Sequence, residues 1–441
     1  MRGHMSNFYA EIIDEAWLRF GNGVTKKSTF QGLSEGGPFD IHQLSRKEKI
    51  NILFIYPEGK KDVSTYMFDK LVSGYRIFKG FNKLFRQDLQ TTDLLEIPIK
   101  SNLPYTIANE YKNKLKDFLQ RQKDEIDIAV IMHPGKSHFT YDSPYFSTKT
   151  LLAAHGKPTQ SIDIEKFENL IGNDNLAYYL ANVSLAIYAK TGGKPWALDI
   201  SSGGSDLILG VGGTRIDAQN YFAFTTLFER NGTFDYWASD ISGGEGDYVT
   251  LLKNQINKVI DGYIKEHPGT QVNKISFHIA GKKPGKLEKQ AILEVMDERN
   301  TEFKYALFHI NTSSLFWVMD DKNDFFLPND GLKVRLTSKD FLIIVEGYKP
   351  NIKSINRLVK PLRVTATDFT VPYEDIHSMV KEIYWLTRMN WKGFRAKKIP
   401  VSVYYPHLLA YLLCELRKHD PEGTFNDIML ETTLRKKAWF L

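Results

Sequence analysis

Short apolar runs that stop at turn residues alternate along this chain with stretches whose apolar positions recur at helical spacing. "INILFIYP" (50–57) and "IDIAVIMHP" (126–134) are runs of the first kind and predict buried strands. Between them, "NEYKNKLKDFLQRQKDEI" puts apolar residues on one face and charges on the other, which predicts an amphipathic helix. Strand, helix, strand in that order implies a parallel α/β layer. Helices are predicted to follow at 145–154 and 173–190. "KTGGKPW" (190–196) then breaks the pattern, because Gly192, Gly193 and Pro195 together end a helix, and a domain boundary is placed there.

The second half reads differently. "SDLILGVGG" and "YFAFTTLFE" (221–229) are strand-like, a long helical stretch covers about 248–266, and "KISFHIAG" (274–281) is another strand before a charged helix from Lys286. "KYALFHI", "LKVRL" and "FLIIVEGY" predict further strands; "YEDIHSMVKEIYWLTRMNW" and "PHLLAYLLCELRK" predict closing helices. Hairpin-like strands, a crossover helix and then another strand describe a mixed sheet flanked by helices. An RNase H-like fold has that order, and periodicity alone permits other α/β folds as well.

Composition narrows the class without deciding it. The 441 residues suit two or three domains, and 42% hydrophobic with 25% charged residues is ordinary for a globular protein. The only cysteine, Cys414, excludes an internal disulfide and a cysteine-based zinc cluster, which suits a cytoplasmic setting. Nothing resembles a signal peptide, and no run of roughly eighteen apolar residues could cross a bilayer, so no membrane insertion is expected. The net charge of +6 is compatible with nucleic acid without requiring it. Basic residues gather at Lys112, Lys114 and Lys116, at Lys282, Lys283 and Lys286, at Lys392, Arg395, Lys397 and Lys398, and at Arg435, Lys436 and Lys437. Each cluster alone reads as a solvated face; several converging in space would read as a binding site.

The familiar catalytic signatures are missing. Gly210-Val211-Gly212-Gly213 ends a strand, but Arg215 occupies the place of the third glycine in a dinucleotide fingerprint. "HPGKS" (133–137) resembles the end of a phosphate loop, yet Val130 stands where its first glycine belongs. Neither H-E-x-x-H nor G-x-S-x-G occurs. "YFSTKTLLAAHGKPTQ" (145–160) says more. Tyr145 and Lys149 are four apart and share a helix face, with Lys149 placed near the start of that helix, where backbone N–H groups favour an anion. Gln160 falls on the next short strand, and Lys190 closes the helix after it.

Taken in order, several stretches carry a resemblance. They are "LRFGNG…GLSEGGPFD", Tyr145-x-x-x-Lys149…Gln160…Lys190, "KTGGKPW…SDLILGVGGTRID", "HIAGKKPG", "NWKGFR…IPVSVYYPHLLAYLL" and the final "AWFL". With these the chain resembles a short prokaryotic Argonaute, the MID–PIWI type without N and PAZ domains. The resemblance implies an α/β fold with a Rossmann-like MID domain at 47–193, an RNase H-like PIWI domain at 194–441, and a segment at 1–46 packing with PIWI. It implies that the MID pocket holds the 5′ phosphate of a short guide strand. Tyr145 would stack on the first base while Lys149, Gln160 and Lys190 contact the phosphate. Ammonium groups and an amide donor suit a phosphate, and an aromatic face accepts any base. It also implies a structural Mg²⁺ bridging guide phosphates and the terminal carboxylate of Leu441. Where some relatives place a glutamine ligand, one turn before Lys190, this chain has Ala186.

The same resemblance gives the glycines a meaning. Cleaving Argonautes carry an aspartate where this chain has Gly212, and a second in an Arg-Asp-Gly turn where it has Ala280. His407 matches the last metal ligand, and Glu245 or Asp247 aligns loosely with a glutamate. Two-metal cleavage needs carboxylates to hold its ions, and neither glycine nor alanine provides one. The expectation is therefore a guide-dependent binding protein and not an enzyme. It would hold a short guide, RNA expected and DNA open, and recognise complementary single-stranded DNA. Activation of an APAZ-containing or other effector partner in defence against invading DNA is the implied outcome. A nuclease using relocated ligands, or a dimerising interaction scaffold, are the alternatives.

Overall fold

A computed structural model describes residues 9–43, 46–100, 103–122, 125–134, 144–200, 204–215, 221–242, 245–281, 285–299, 303–322, 326–349, 359–420 and 422–441. They fall into two compact units, each assembled from separate stretches of chain. One consists of residues 18–197, 391–394 and 411–441; the other of residues 1–17, 198–390 and 395–410.

In chain order, the first half begins with β1 (Tyr9–Ile12), the short β2 (Leu18–Arg19) and β3 (Thr25–Lys26), and α1 (Thr29–Gly36). Then come β4 (Lys49–Pro57), α2 (Lys61–Ser73), α3 (Phe81–Phe85), β5 (Asp88–Ile97), α4 (Pro104–Arg121) and β6 (Ile128–His133). Next are α5 (Pro144–Ala154), β7 (Thr159–Asp163), α6 (Ile164–Glu168), α7 (Asn175–Lys190) and β8 (Ala197–Leu198). The unit containing residues 18–197 is built on a four-stranded sheet in the order β5-β4-β6-β7, parallel throughout. Central β6 is buried along its whole length, as a strand covered on both faces must be, and its sequence is uniformly apolar apart from His133. At the edge lies β5, where polar residues interrupt the apolar ones. That polar edge explains why the pattern of apolar runs predicted β4 and β6 but not β5. Helices are closed by local chemistry: Asp163 caps α6 through the N–H of Lys166 at 3.0 Å. After α7 the chain must turn close to Tyr188. A Cβ on Gly193 would lie 2.3 Å from that ring, and Gly192 has φ +104°.

The second half continues with β9 (Leu207–Arg215), β10 (Tyr221–Glu229), β11 (Phe234–Ser242), α8 (Glu245–Glu266), β12 (Lys274–Ala280), α9 (Lys286–Glu298) and β13 (Lys304–Asn311). It ends with β14 (Leu332–Arg335), β15 (Asp340–Ile343), β16 (Leu362–Phe369), α10 (Tyr373–Trp385), α11 (Val401–Lys418) and α12 (Phe425–Leu430). Its nine-stranded sheet has the order β1-β14-β15-β16-β13-β12-β9-β10-β11. Strands β9, β10 and β11 form antiparallel hairpins, β12 joins β9 in parallel, and β13 joins β12 in parallel. This is the RNase H-like order expected from the sequence. One core, under β9, β12 and β13, is filled by α8 and α9 through Leu252, Ile256, Ile260, Ile292 and Val295.

The division differs from the expected domain boundaries at both ends. Residues 18–46 belong with the parallel-sheet unit, where Phe20 packs beside Trp196 and Asp40 accepts the hydroxyl of Tyr188. Residues 411–441 belong there too: His419 stacks on Phe146 at 4.4 Å, and Glu422 pairs with Lys112 and Lys116 at 2.7 Å each. Contacts between residues hundreds of positions apart decide this, and no local pattern reports them.

Candidate functional site

Within the parallel-sheet unit, α5, β7 and α7 bring the four predicted residues into one neighbourhood. Helix α5 is buried nearly throughout, including Phe146, Leu151, Leu152 and Ala153, so even its lysine is drawn inward. Lys149 is only 2% exposed. It is the sixth residue of α5 rather than part of the first turn, but helical side chains lean toward the N-terminus, which carries its ammonium back that way. The ammonium lies 5.6 Å from the ring centre of Tyr145 and 5.7 Å from that of Trp439. The four-residue spacing of Tyr145 and Lys149 does place them on one face.

Lys190 ends α7 and is 3% exposed. Its ammonium donates to the carbonyl of Thr159 at 2.8 Å and to Oε1 of Gln160 at 2.9 Å. These bonds tie the end of α7 to the start of β7 and hold Gln160 beside the lysine. Among the described residues, neither Lys149 nor Lys190 has a carboxylate partner. Burial pushes Lys149 down to about 7, with the nearby charge of Lys392 adding to the effect. Burial lowers Lys190 as well, followed by the charges of Lys149 and Lys392. The charge of Lys392 thus acts on both lysines, and Lys149 and Lys190 are removed from water with no carboxylate partner among the described residues. Such an arrangement is costly unless an anion completes it. Burial also raises the Tyr145 phenol to about 12, so the ring stays neutral.

Lys392 and Trp439 were not singled out as site residues. Lys392 was visible as one member of a basic cluster, and Trp439 as part of the closing "AWFL". No local pattern indicates that Trp439 meets α5 or that the charge of Lys392 acts on it. The other clusters behave variously: Lys112 and Lys116 pair with Glu422, whereas Lys282 and Lys283 lie outside the described residues, as do Gly135, Lys136 and Ser137 of "HPGKS". Leu441 is buried in the same unit, its N–H donating to the carbonyl of Ala438 at 3.2 Å.

A Piwi domain is recognised over residues 128–418, more than half of the chain. The chain belongs to the Piwi family. A Piwi protein of Archaeoglobus fulgidus is 33% identical over 76% of this chain and 89% of the relative. The argonaute of Cereibacter sphaeroides is 24% identical, covering 93% of this chain and 56% of its own length. Among solved structures, Clostridium butyricum Argonaute bound to a guide DNA and a 19-mer target DNA superposes with TM-score 0.72 at 20% identity. That match covers 94% of this chain and 54% of the other. The chain thus spans about half the length of these argonautes, and its fold is Argonaute-like, with a Rossmann-like MID and an RNase H-like Piwi sheet.

In the Piwi sheet, Gly212 and Ala280 lie just past the last positions paired between β9 and β12. His278 of β12 pairs with Gly210 of β9, and Ala280 and Gly212 each follow two residues later on these parallel strands. Ala280 is the last residue of β12. A Cβ on Gly212 would come within 2.8 Å of Cζ of Phe224, whose buried ring occupies that face. His407 is exposed on α11, and Asp247 is exposed on α8; the Glu245 side chain lies outside the described residues. Among the described residues, no three His, Cys, Asp or Glu side chains group as metal ligands. No described helix is long and apolar enough to cross a membrane.

Proposed function

We propose that this Piwi-family chain grips the 5′-phosphorylated end of a short guide strand in the socket formed by Tyr145, Lys149, Gln160, Lys190 and Lys392. The observation that carries the reading is the pair of buried ammonium groups with no carboxylate partner among the described residues, that of Lys149 bordered by the rings of Tyr145 and Trp439. A phosphate supplies the missing negative charge, and charge-assisted hydrogen bonds to it are the strong kind. The Tyr145 ring stacks on the first base, worth on the order of 1–3 kcal/mol without regard to its identity. The guide is RNA in this proposal and pairs with complementary single-stranded DNA. Sequence is then read by base pairing while the protein follows the backbone.

The reading includes no cutting. A two-metal mechanism needs carboxylates beside the scissile phosphate. Gly212 and Ala280 offer none, and the Phe224 ring fills the space a side chain at 212 would need. Pairing instead signals to an effector protein, of the APAZ-bearing kind or another, in cytoplasmic defence against invading DNA. The side chains of the socket do not fit a Mg²⁺ ion. They are ammonium groups, Gln160 already accepts from Lys190, and Ala186 has no donor atom. Such an ion would take its oxygens from guide phosphates and from the main chain at Leu441, so no step is routed through it.

Filter binding with matched guides carrying a 5′ phosphate or a 5′ hydroxyl tests the proposal. A clear preference for phosphate, weakening as salt rises, is expected. Equal binding of both guides would sink it and favour an interaction scaffold. Target cleavage in Mg²⁺ or Mn²⁺ would overturn the non-cutting part alone.

A further inference from the structure

A polar cavity of about 480 Å³ opens in the parallel-sheet unit beside the start of β4 and the segment leading into β6. Its size falls within the range typical of small-molecule sites. Charged side chains of both signs line it, and what matters is which of them already have partners.

The acids are engaged. Glu125 and Asp127 both pair with Lys47, at 2.5 and 2.6 Å, and the second oxygen of Asp127 takes the N–H of Asn51 at 2.8 Å. Asp40 accepts the Tyr188 hydroxyl and the N–H of Lys194. Glu431 accepts the N–H of Thr433 at 2.6 Å. Arg46 is held by the carbonyls of Ile41 and Phe85.

Lys157 and Lys437 differ. Both line the cavity, both are partly buried, and neither forms an ion pair or side-chain hydrogen bond among the described residues. Lys437 runs across Gly192, where an added Cβ would lie 3.7 Å from its Cγ. Burial lowers its pKa, and the charges of Lys157 and Lys47 push the same way against Asp127 and Glu431. Lys157 and Lys437 are thus the lysines of this wall whose ammonium groups make no direct contact with an acid among the described residues, although Asp127 and Glu431 act on Lys437 through space.

We propose that this cavity is a second anion site, separate from the guide socket, which takes the phosphate group of a small molecule between Lys157 and Lys437. The volume leaves room for a group the size of a nucleoside beside that phosphate. The two sites share structural segments. Lys190 of the socket is followed directly by Thr191, Gly192 and Gly193 of the cavity wall, and Lys437 stands two residues before Trp439. An anion that fixes Lys437 thus steadies the segment presenting Trp439 to Lys149.

Calorimetric titration of the full chain with inorganic phosphate, and separately with adenosine 5′-monophosphate, tests this. A Lys149→Ala/Lys190→Ala variant removes the socket from the measurement. It should retain one saturable site, which weakens at least tenfold when Lys157→Ala and Lys437→Ala are added. In the otherwise unaltered chain, Lys157→Gln/Lys437→Gln should lower the phosphate stoichiometry from two to one while leaving the preference for 5′-phosphorylated guide intact. Tighter binding of the nucleotide identifies a phosphate monoester as the ligand; equal binding identifies free phosphate. Phosphate binding that Lys149→Ala/Lys190→Ala abolishes entirely overturns the proposal, as does binding indifferent to Lys157 and Lys437. Either result would leave the guide socket standing.

Discussion

The buried lysine pair of the parallel-sheet unit contrasts with the buried ionisable groups of the mixed-sheet unit. In the mixed-sheet unit, three such groups among the described residues are matched by neighbours. Glu382 accepts from the N–H and hydroxyl of Ser205, and burial raises its carboxyl to about 8, so it stays neutral. His278 lies between the hydroxyls of Ser276 and Ser402, at 2.8 and 2.7 Å, and burial lowers it to about 3. Lys333 pairs with Glu11 across β14 and β1. In the parallel-sheet unit, Lys149 and Lys190 are as deeply buried, both have their affinity for a proton lowered by burial and by Lys392, with Lys149 adding to the effect on Lys190, and they meet no acid among the described residues. A matched buried charge can be explained by folding alone. An unmatched pair of like charges costs folding stability, so its explanation lies with a ligand.

The largest effect should come from removing the unmatched pair. Lys149→Ala/Lys190→Ala is expected to weaken 5′-phosphorylated guide about 100-fold or more, at roughly 1.5–3 kcal/mol per charged hydrogen bond. Binding of 5′-hydroxyl guide should change far less, which direct titration of both strands will read. Next comes pH. With Lys149 near 7 in the free protein, binding above that pH must recapture a proton, so phosphate affinity should fall by up to about tenfold per unit from pH 7 to 9. Without ligand, the sign for stability is opposite. The unfolded chain holds more protons than the folded one between pH 7 and the ordinary lysine value of 10.5, so stability rises with pH across that window. Lys149→Met should stabilise the free chain most at pH 7 and below, as denaturant titrations at several pH values will show.

Smaller effects probe the other side of the contrast. Gly212→Asp should cost roughly 1–3 kcal/mol, because Phe224 must move, and should leave cleavage absent. A stable, cutting variant would show that the sheet end is less closed than its geometry implies. Smallest of all, Lys112→Ala removes one arm of the Glu422 ion pair and should change stability by less than about 1 kcal/mol. Guide affinity should stay within about twofold of the unaltered chain.

What the sequence determined by itself was everything that depends on near neighbours. The four-residue step from Tyr145 to Lys149 fixed a shared helix face, uniform apolar runs marked β4 and β6, and residues 210–213 and 280 carried no carboxylate whatever the fold. Tertiary structure alone decided that polar β5 joins the sheet edge, that residues 18–46 and 411–441 belong with the parallel-sheet unit, that Trp439 meets Lys149, and that the charge of Lys392 reaches it. It also decided that Phe224 occupies the face of Gly212. The physical reason is common to all of these. Desolvation and charge repulsion depend on which distant residues approach within a few ångströms, and the spacing of residues along the chain does not record that distance.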